Sequence, residues 1–280
     1  MYIAKDISYK IGGKAILENI SITIPPGSLT AIVGPNGAGK TTLLKILTGE
    51  YSTKNQNIFI NQVPIQKLGT EALSKIRAVV PQSAHVNFPF TVEEIVALGR
   101  YPHKKLKATN AEIIDSVMHI TEIAALKDRI YMTLSGGEKQ RVQLARALAQ
   151  IWERSTDPSY LFLDEPTANL DIAQQHQIFE HTKRMCGSNV GILMIIHDLN
   201  LAAQYADHLI YLKQGSIVAQ GPAEFMIKKH WIEETFSYPV DLVPDRSSGR
   251  SYIIPRAKFE NNTETNLETL IPIENGKFDN

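Results

Sequence analysis

The sequence predicts an α/β fold in which helices wrap a parallel sheet. Three features lead to this prediction. Short β-like runs separated by turn signals open the chain, strands and helices alternate in its second half, and a glycine-rich loop lies between a buried strand and a helix. The chain has 280 residues, of which 43% are hydrophobic and 21% charged, as is usual for a globular protein with a sizeable core.

The first part of the chain reads as a series of short strands. Turn signals at residues 12–13 and 25–27, rich in glycine and proline, separate the runs. The predicted strands are residues 2–9, 15–17, 20–24 and 29–33, with a further one at 57–60 after a helix that ends near Gly49.

A phosphate-binding loop follows the strand at residues 29–33. Residues 34–41 match the pattern G-x-x-x-x-G-K-[ST] at every fixed position, and a helix follows. Glycines let backbone N–H groups converge on phosphate oxygens, and the helix N-terminus adds partial positive charge. Lys40 can reach the terminal phosphates, and the Thr41 hydroxyl can ligate Mg²⁺. The predicted nucleotide-binding residues here are Gly34, Pro35, Asn36, Gly37, Ala38, Gly39, Lys40, Thr41 and Thr42.

The middle of the chain has a helical pattern and contains a second anion-binding element. Ser135, Gly136 and Gly137 precede a strongly helical stretch that ends near Ile151, so bare N–H groups and a hydroxyl mark its N-terminus. One nucleotide does not need two such elements unless they close on it from both sides. The other predicted helices in this part are residues 91–98, 110–118 and 121–126, the first capped by Thr91.

Two adjacent carboxylates end the apolar strand predicted at residues 160–164. A buried strand delivers such acids to its carboxyl end, where open α/β sheets place their ligands. Asp164 can hold the Mg²⁺ bound to Thr41, through water. Glu165 points elsewhere and can polarise an attacking water.

Strands and helices alternate over the rest of the chain. A short edge strand is expected at residues 253–255, and the polar segment beyond Asn261 reads as a mobile tail. The predicted helices are 172–185 and 199–206, and the predicted strands are 190–196, 208–212 and 217–220.

The composition argues against several classes of protein. Lys plus Arg equals Asp plus Glu at 29 each, so a strongly basic surface for nucleic acid is not indicated. A single cysteine, Cys186, excludes an internal disulfide framework and a cysteine-based zinc site. The longest apolar run, residues 190–196, is too short to cross a bilayer, so action at a membrane would need another chain.

The ordered set of motifs resembles the ATPase subunit of ABC transporters over roughly residues 1–236. Residues 134–138 with Lys139, Gln140 and Arg141 match the signature sequence of that family. Gln82 lies where the family has its lobe-switch glutamine, and residues 168–171 match the loop after the acids. His197 matches the switch histidine, and Tyr9 lies where the family stacks an aromatic ring on adenine.

The resemblance implies a P-loop NTPase cassette with a mixed sheet core, an antiparallel β subdomain and a helical lobe at about residues 86–157. It implies an ATP-binding domain at 1–240 and an extension at 241–280 with a partly disordered tail. ATP and Mg²⁺ are the implied cofactors. The implied catalytic residues are Lys40, Glu165 and His197, the implied Mg²⁺ ligands are Thr41, Gln82 and Asp164, and Tyr9, Gln82, Ser135, Gly136 and Gly137 join the nucleotide-binding set.

The resemblance also implies partners and a location. We expect a homodimer with two shared nucleotides, two separate transmembrane permease subunits, an indirectly acting solute-binding protein and no nucleic acid. The chain is then peripheral, on the cytoplasmic face of the inner membrane. Residues 83–94 and 97–103 resemble importers of iron chelates, cobalamin and haem, and with residues 142–152 the chain is most similar to haemin-importer ATPases. A ferric siderophore or cobalamin importer is the alternative.

Other classes of nucleotide-binding protein fit the sequence less well. DNA-repair and chromosome members of the same group carry long coiled-coil insertions, whereas Lys40 and Ser135 are 95 positions apart without sustained heptads. A small-molecule kinase would not need residues 134–138 or Glu165 beside Asp164. A purely regulatory module would not keep the whole set of Lys40, Asp164, Glu165 and His197.

Overall fold

The computed structural model describes residues 1–52, 57–83, 86–103, 107–152, 157–168, 170–187, 189–244 and 250–257. The tail expected beyond Asn261 lies outside these residues. Among the helices within them, none combines the length and the apolar character that a bilayer span requires.

An antiparallel sheet of four strands forms the N-terminal subdomain, in the order β2-β1-β4-β5. The prediction of two separate strands at 15–17 and 20–24 is wrong, because a single strand, Lys14–Ile24, runs through both ranges. The pairing of this strand with β1 contains register shifts. Asn19 has a left-handed backbone, and its N–H donates to Ser8 Oγ at 2.9 Å. These irregularities allow one strand to continue through the polar residues at its centre. The strands are β1 (Tyr2–Ile11), β2 (Lys14–Ile24), β4 (Ile58–Ile60) and β5 (Val63–Pro64).

A second sheet of six strands forms the centre of the molecule, in the order β10-β9-β3-β8-β7-β6. Its pairs are parallel except for β10 with β9, which form a hairpin. Every residue of β3, β7 and β8 is buried, which explains why their sequences are mostly apolar, with Thr30, Ser159 and Asp164 as the polar residues. The strands are β3 (Leu29–Val33), β6 (Arg77–Val80), β7 (Ser159–Asp164), β8 (Val190–Ile195), β9 (His208–Lys213) and β10 (Ser216–Pro222).

Three helices form a lobe beside the central sheet, with α5 packed against α3 and α4. Gly99 lets the turn after α3 approach α5, because a Cβ there would lie 2.2 Å from the Arg146 carbonyl oxygen. The predicted Thr91 cap is confirmed as a capping box with Glu94. The lobe helices are α3 (Val92–Leu98), α4 (Lys107–Ile120) and α5 (Gly136–Ile151).

The remaining helices are α1 (Lys40–Leu47), α2 (Thr70–Ile76), α6 (Ile172–Cys186), α7 (Leu199–Tyr205), α8 (Ala223–Met226) and α9 (Lys229–Phe236). The sequence prediction missed α2, α8 and α9. Helix α2 has only seven residues and none is buried, so its apolar Leu73 and Ile76, which pack partly against the core, form too short a pattern to reveal it.

Two apolar clusters hold these layers together. One cluster fills the space between the central sheet and the lobe, α6, α7 and α9. The other lies between the central sheet, α1 and the antiparallel sheet, where Tyr2 meets Phe162 edge to face. The central sheet is therefore covered on both faces, which keeps its strand ends in a fixed arrangement.

A hairpin near the C-terminus is separate from both sheets. The edge strand expected at residues 253–255 is confirmed as part of β12 (Ser251–Pro255). Its antiparallel partner β11 (Val240–Pro244) was not predicted. Val240 and Ile253 bury their side chains, while the hairpin packs against α9 and α7.

His181 on α6 makes the stability of the protein pH-dependent. Its side chain is 1% exposed, and neither ring nitrogen has a hydrogen-bond partner among the described residues. Burial lowers the pKa of His181, opposed by Glu122 and supported by Arg184. The folded state thus holds a neutral imidazole that the unfolded chain protonates. The stabilisation is complete above the unfolded pKa of about 6.5 and is lost as the pH falls from there through the folded pKa.

We expect a His181→Leu variant to lose this acid sensitivity. Its free energy of unfolding, from urea denaturation, should decline less between about pH 6.5 and 5 than that of the wild type, by up to about 1.4 kcal/mol per pH unit. A His119→Gln variant is the matched control, because that side chain is 68% exposed. Parallel curves for wild type and His181→Leu would contradict the assignment.

Candidate functional site

The glycine-rich loop between β3 and α1 is shaped by close backbone contacts. Gly34 approaches β9 so closely that a Cβ would lie 2.0 Å from the Leu212 carbonyl oxygen. Gly39, the N-cap of α1, has φ 100° and would place a Cβ 2.8 Å from Leu17 Cδ2. Side chains at these two positions would displace the loop. The fixed glycines of the motif are therefore required by its packing as well as by its N–H groups.

Lys40 folds back over this loop at the N-terminus of α1. Its Nζ donates to the carbonyl oxygens of Gly34 at 2.8 Å and Pro35 at 3.1 Å, and the residue is 5% exposed. Burial lowers the pKa of Lys40, while Glu165 and Asp164 act in the opposite direction. The ammonium group is thus held at the mouth of the loop, where phosphate oxygens can replace the carbonyls as acceptors.

Asp164 and Thr41 are hydrogen-bonded to each other, as expected of two residues that would bind the same metal ion. Thr41 Oγ1 donates to Asp164 Oδ1 at 3.3 Å. Burial and the neighbouring Glu165 raise the pKa of Asp164, while the Thr41 hydroxyl and Lys45 lower it. A hydroxyl and a carboxylate are hard oxygen donors of the kind that Mg²⁺ prefers beside phosphates and water. The two residues therefore fit an Mg²⁺ site.

Glu165 lies at the centre of the cluster. Its backbone is left-handed, with φ 49°. Gln82 Nε2 donates to Glu165 Oε2 at 2.6 Å, and His197 Nε2 lies 2.5 Å from Glu165 Oε1. Each carboxylate oxygen of Glu165 thus has one partner, and the two partners follow different strands. A water hydrogen-bonded to Glu165 must therefore share its oxygen with Gln82 or with His197.

Parallel strand order brings these groups to one edge of the central sheet. The neighbours β3, β8, β7 and β6 run in the same direction, so their carboxyl ends lie side by side. These ends lead to the glycine-rich loop, to His197, to Asp164 and Glu165, and to Gln82. The arrangement can bind a polyphosphate and a divalent cation and can activate a water.

The predicted second anion-binding element lies at the start of α5, where Ser135 is the N-cap. Ser135 Oγ accepts from the Glu138 N–H at 3.3 Å, while Glu138 Oε2 accepts from the Ser135 N–H at 2.7 Å. The Ser135 N–H bond is the main cause of a lowered Glu138 pKa. A Cβ on Gly137 would lie 2.6 Å from Gln174 Cδ on α6. Gly137 therefore lies against the start of α6, whereas the glycine-rich loop lies against β2 and β9. The two elements have different neighbours within the chain.

Tyr9 has an aromatic partner that the sequence did not reveal. Its ring stacks on Tyr51, with centroids 5.7 Å apart and planes 18° from parallel, and Lys45 Nζ lies 5.3 Å from the Tyr51 centroid. Tyr51 follows α1 and is brought back to β1 by the turn at Gly49. No motif spacing links residues 9 and 51, so only the folded chain could identify this pair.

The Gly99–His103 motif has a structural explanation. Arg100 is 4% exposed and donates to the Ala149 carbonyl at 2.6 Å. His103 Nε2 lies 2.7 Å from the Gln150 carbonyl oxygen. Both side chains thus bind carbonyl groups at the C-terminal end of α5, where basic groups are favourable. These two contacts tie the turn after α3 to α5.

Comparison with known proteins gives matches over most of the chain. Residues 17–168 match the family described as ABC transporter. A hemin import ATP-binding protein, HmuV, from Hydrogenovibrio crunogenus is 42% identical over 259 residues, covering 91% of this chain and 100% of that protein. The HmuV of Escherichia coli O157:H7 is 36% identical over 255 residues, covering 91% of this chain and 99% of that protein.

Solved structures share the fold. An ABC transporter in an inward-facing conformation has a TM-score of 0.78 at 21% identity, covering 92% of this chain and 97% of that chain. A dimeric ATP-binding cassette in a post-hydrolysis state with ADP and Pi has a TM-score of 0.68 at 25% identity, covering 80% of this chain and 99% of that chain. The predicted fold, a mixed sheet core with an antiparallel subdomain and a helical lobe, is thereby confirmed.

Proposed function

This chain belongs to the ABC transporter family, and from that membership and the site geometry we propose that it is the ATP-hydrolysing subunit of a haemin importer. The relatives named hemin import ATP-binding protein cover nearly the whole chain and support this cargo. The single observation that carries the ATPase assignment is the meeting of Lys40, Thr41, Asp164 and Glu165 at one sheet edge.

The residues of the site divide the work of hydrolysis. Lys40 and the loop N–H groups hold the phosphates of ATP and spread their negative charge. Thr41 and Asp164 would hold Mg²⁺, with Gln82 as the further ligand that the resemblance implies, and the bound ion would supply positive charge at the phosphates. Glu165 orients the attacking water and accepts its proton, and His197 donates to the γ-phosphate.

The active form is proposed to be a homodimer. Ser135, Gly136 and Gly137 of one copy face the phosphate loop of the other, so each ATP binds between two chains. The different neighbours of the two elements within one chain support this arrangement. The dimeric cassette with ADP and Pi, whose fold this chain shares, offers a precedent.

The helical lobes of the homodimer are proposed to dock two transmembrane permease subunits. Apolar side chains are exposed on the segment between Gln82 and the lobe and at the end of α3: Phe88 at 68%, Phe90 at 37%, Leu98 at 52% and Tyr101 at 91%. Gln82 connects this surface to Glu165, so closure on ATP can be passed to the permeases. The chain then lies peripherally on the cytoplasmic face of the inner membrane, with a solute-binding protein acting indirectly.

The domain division proposed is an ATP-binding domain at residues 1–240, with its helical lobe at about 86–157, and an extension from 241 onward. The pairing of β11 with β12 in a sheet of their own supports a separate extension.

Growth on defined iron sources tests the cargo. A strain of the source organism that lacks this chain should fail to grow with haemin as its sole iron source, and the wild-type chain, unlike Lys40→Ala, should restore growth. A ferric siderophore as the sole iron source, and cobalamin under conditions in which growth depends on its uptake, are tested in parallel cultures. Normal growth on haemin with a defect on one of these other compounds would contradict haemin import and would leave the ATPase assignment intact.

A further inference from the structure

The C-terminal hairpin is fastened to helix α7 chiefly through the side chain of Asn200. Asn200 Oδ1 accepts from the Ile253 N–H at 2.8 Å, and Asn200 Nδ2 donates to the Ile253 carbonyl oxygen at 3.2 Å. Ile253 uses both of its backbone groups, so the amide pairs with β12 as a residue of a neighbouring strand would. Arg250 adds a bond to the Ala203 carbonyl at 3.0 Å, near the C-terminal end of the same helix.

The other side of the hairpin is fastened to helix α9. Glu233 Oε1 accepts from the Val240 N–H at 3.0 Å. Arg256 closes the open end of the hairpin by binding both oxygens of Asp241, at 2.6 Å and 2.5 Å. The hairpin is therefore a fixed bridge between α9 and α7 and can transmit their relative position.

Helix α7 begins directly beside the cluster around Glu165. Asp198 caps the helix by accepting from the N–H groups of Asn200 at 2.7 Å and Leu201 at 3.1 Å. The residue before this cap is His197, whose Nε2 contacts Glu165 Oε1. A rotation of α7 about its axis would therefore move His197 relative to Glu165, and only two residues lie between His197 and the clamping residue Asn200.

We propose that Asn200 and the β11–β12 hairpin act as a positioning device for His197. The clamp on Ile253 fixes the first turn of α7, and this turn fixes the histidine side chain against Glu165 and the γ-phosphate. The inference rests on the proposed ATPase function. The side chain of Asn200 is bonded to Ile253, so Asn200 acts through His197 as a positioning residue, and its loss should affect kcat rather than ATP binding.

Two Asn200 variants test the device by steady-state kinetics. Asn200→Ala removes both bonds to Ile253, and Asn200→Asp keeps the acceptor but sets a carboxylate oxygen against the Ile253 carbonyl. We expect kcat to fall about fivefold in each, with KM for ATP within about twofold of the wild-type value. Gln204→Ala, an amide removed from an exposed position on the same helix, should leave both parameters unchanged.

A measurement on the unaltered chain is independent of how the variants fold. Because coupling is reciprocal, fixing His197 with the non-hydrolysable analogue AMP-PNP should slow amide hydrogen exchange at Ile253 by about threefold or more. Exchange unchanged by AMP-PNP, or a kcat at the wild-type value in a folded Asn200 variant, would overturn the proposal. A wild-type chain that hydrolyses no ATP would contradict the proposed function, and the exchange at Ile253 would still decide the coupling.

Discussion

A Glu165→Gln variant should bind ATP, dimerise and stall. We expect kcat to fall about a thousandfold, within the range for loss of a general base. The amide has nearly the same shape as the carboxylate and can still meet Gln82 and His197, whose contacts with Glu165 are 2.6 Å and 2.5 Å long. It cannot accept the proton of the attacking water. Binding should persist because Lys40, Thr41 and Asp164 are unchanged.

Phosphate release and gel filtration with ATP and Mg²⁺ measure these two effects. A dimer that persists with ATP in the variant, but dissociates as ATP is consumed in the wild type, would match the expectation. The control Glu180→Gln makes the same chemical change on α6 where the side chain is 54% exposed, and should have the wild-type rate. Hydrolysis by Glu165→Gln at the normal rate would assign the base elsewhere.

Two inactive variants should restore activity to each other when mixed. Lys40→Ala disables the phosphate loop, and Ser135→Arg places a bulky charge at the start of α5. In an equimolar mixture half of the dimers contain one chain of each kind, and each such dimer has one intact site of two. If the two sites act independently, the mixture should recover about a quarter of the wild-type rate, whereas either variant alone stays near zero.

A doubly substituted chain supplies the control for this experiment. Mixed with Lys40→Ala or with Ser135→Arg, it can form no intact shared site and should recover nothing. Dilution of the wild type should lower the rate per chain as dimers dissociate. No recovery in any ratio, together with a wild-type rate that is independent of dilution, would refute the shared site.

The segments that the sequence located best are those in which burial or the spacing of a motif constrains each residue. The strand at residues 29–33 was predicted with its observed bounds, because all five of its residues are buried and four of them are apolar. The glycine-rich loop and the pair Asp164 and Glu165 could be recognised because phosphate binding requires these residue types at fixed spacing. Their contacts, such as the 3.3 Å bond between Thr41 and Asp164, fit that expectation.

The features that the sequence missed depend on contacts between distant segments. Helix α2 has no buried residue, and β11 can be recognised as a strand only through its pairing with β12. Tyr51 is found through its stacking on Tyr9, and Asn200 through its bonds to Ile253, which is 53 residues away. A single sequence carries no pattern for such pairs, because their residue types are free to vary as long as the contact is kept.

By itself the sequence determined the α/β class and placed the glycine-rich loop, the acids at a strand end and the helix start at Ser135, since local spacing and burial dictate all four. Only the tertiary structure decided how Glu165 is held between Gln82 and His197 and how the hairpin is fixed to α7. Those arrangements follow from the order of strands in the central sheet and from packing between its layers. Residues distant in the chain become neighbours only when these layers assemble.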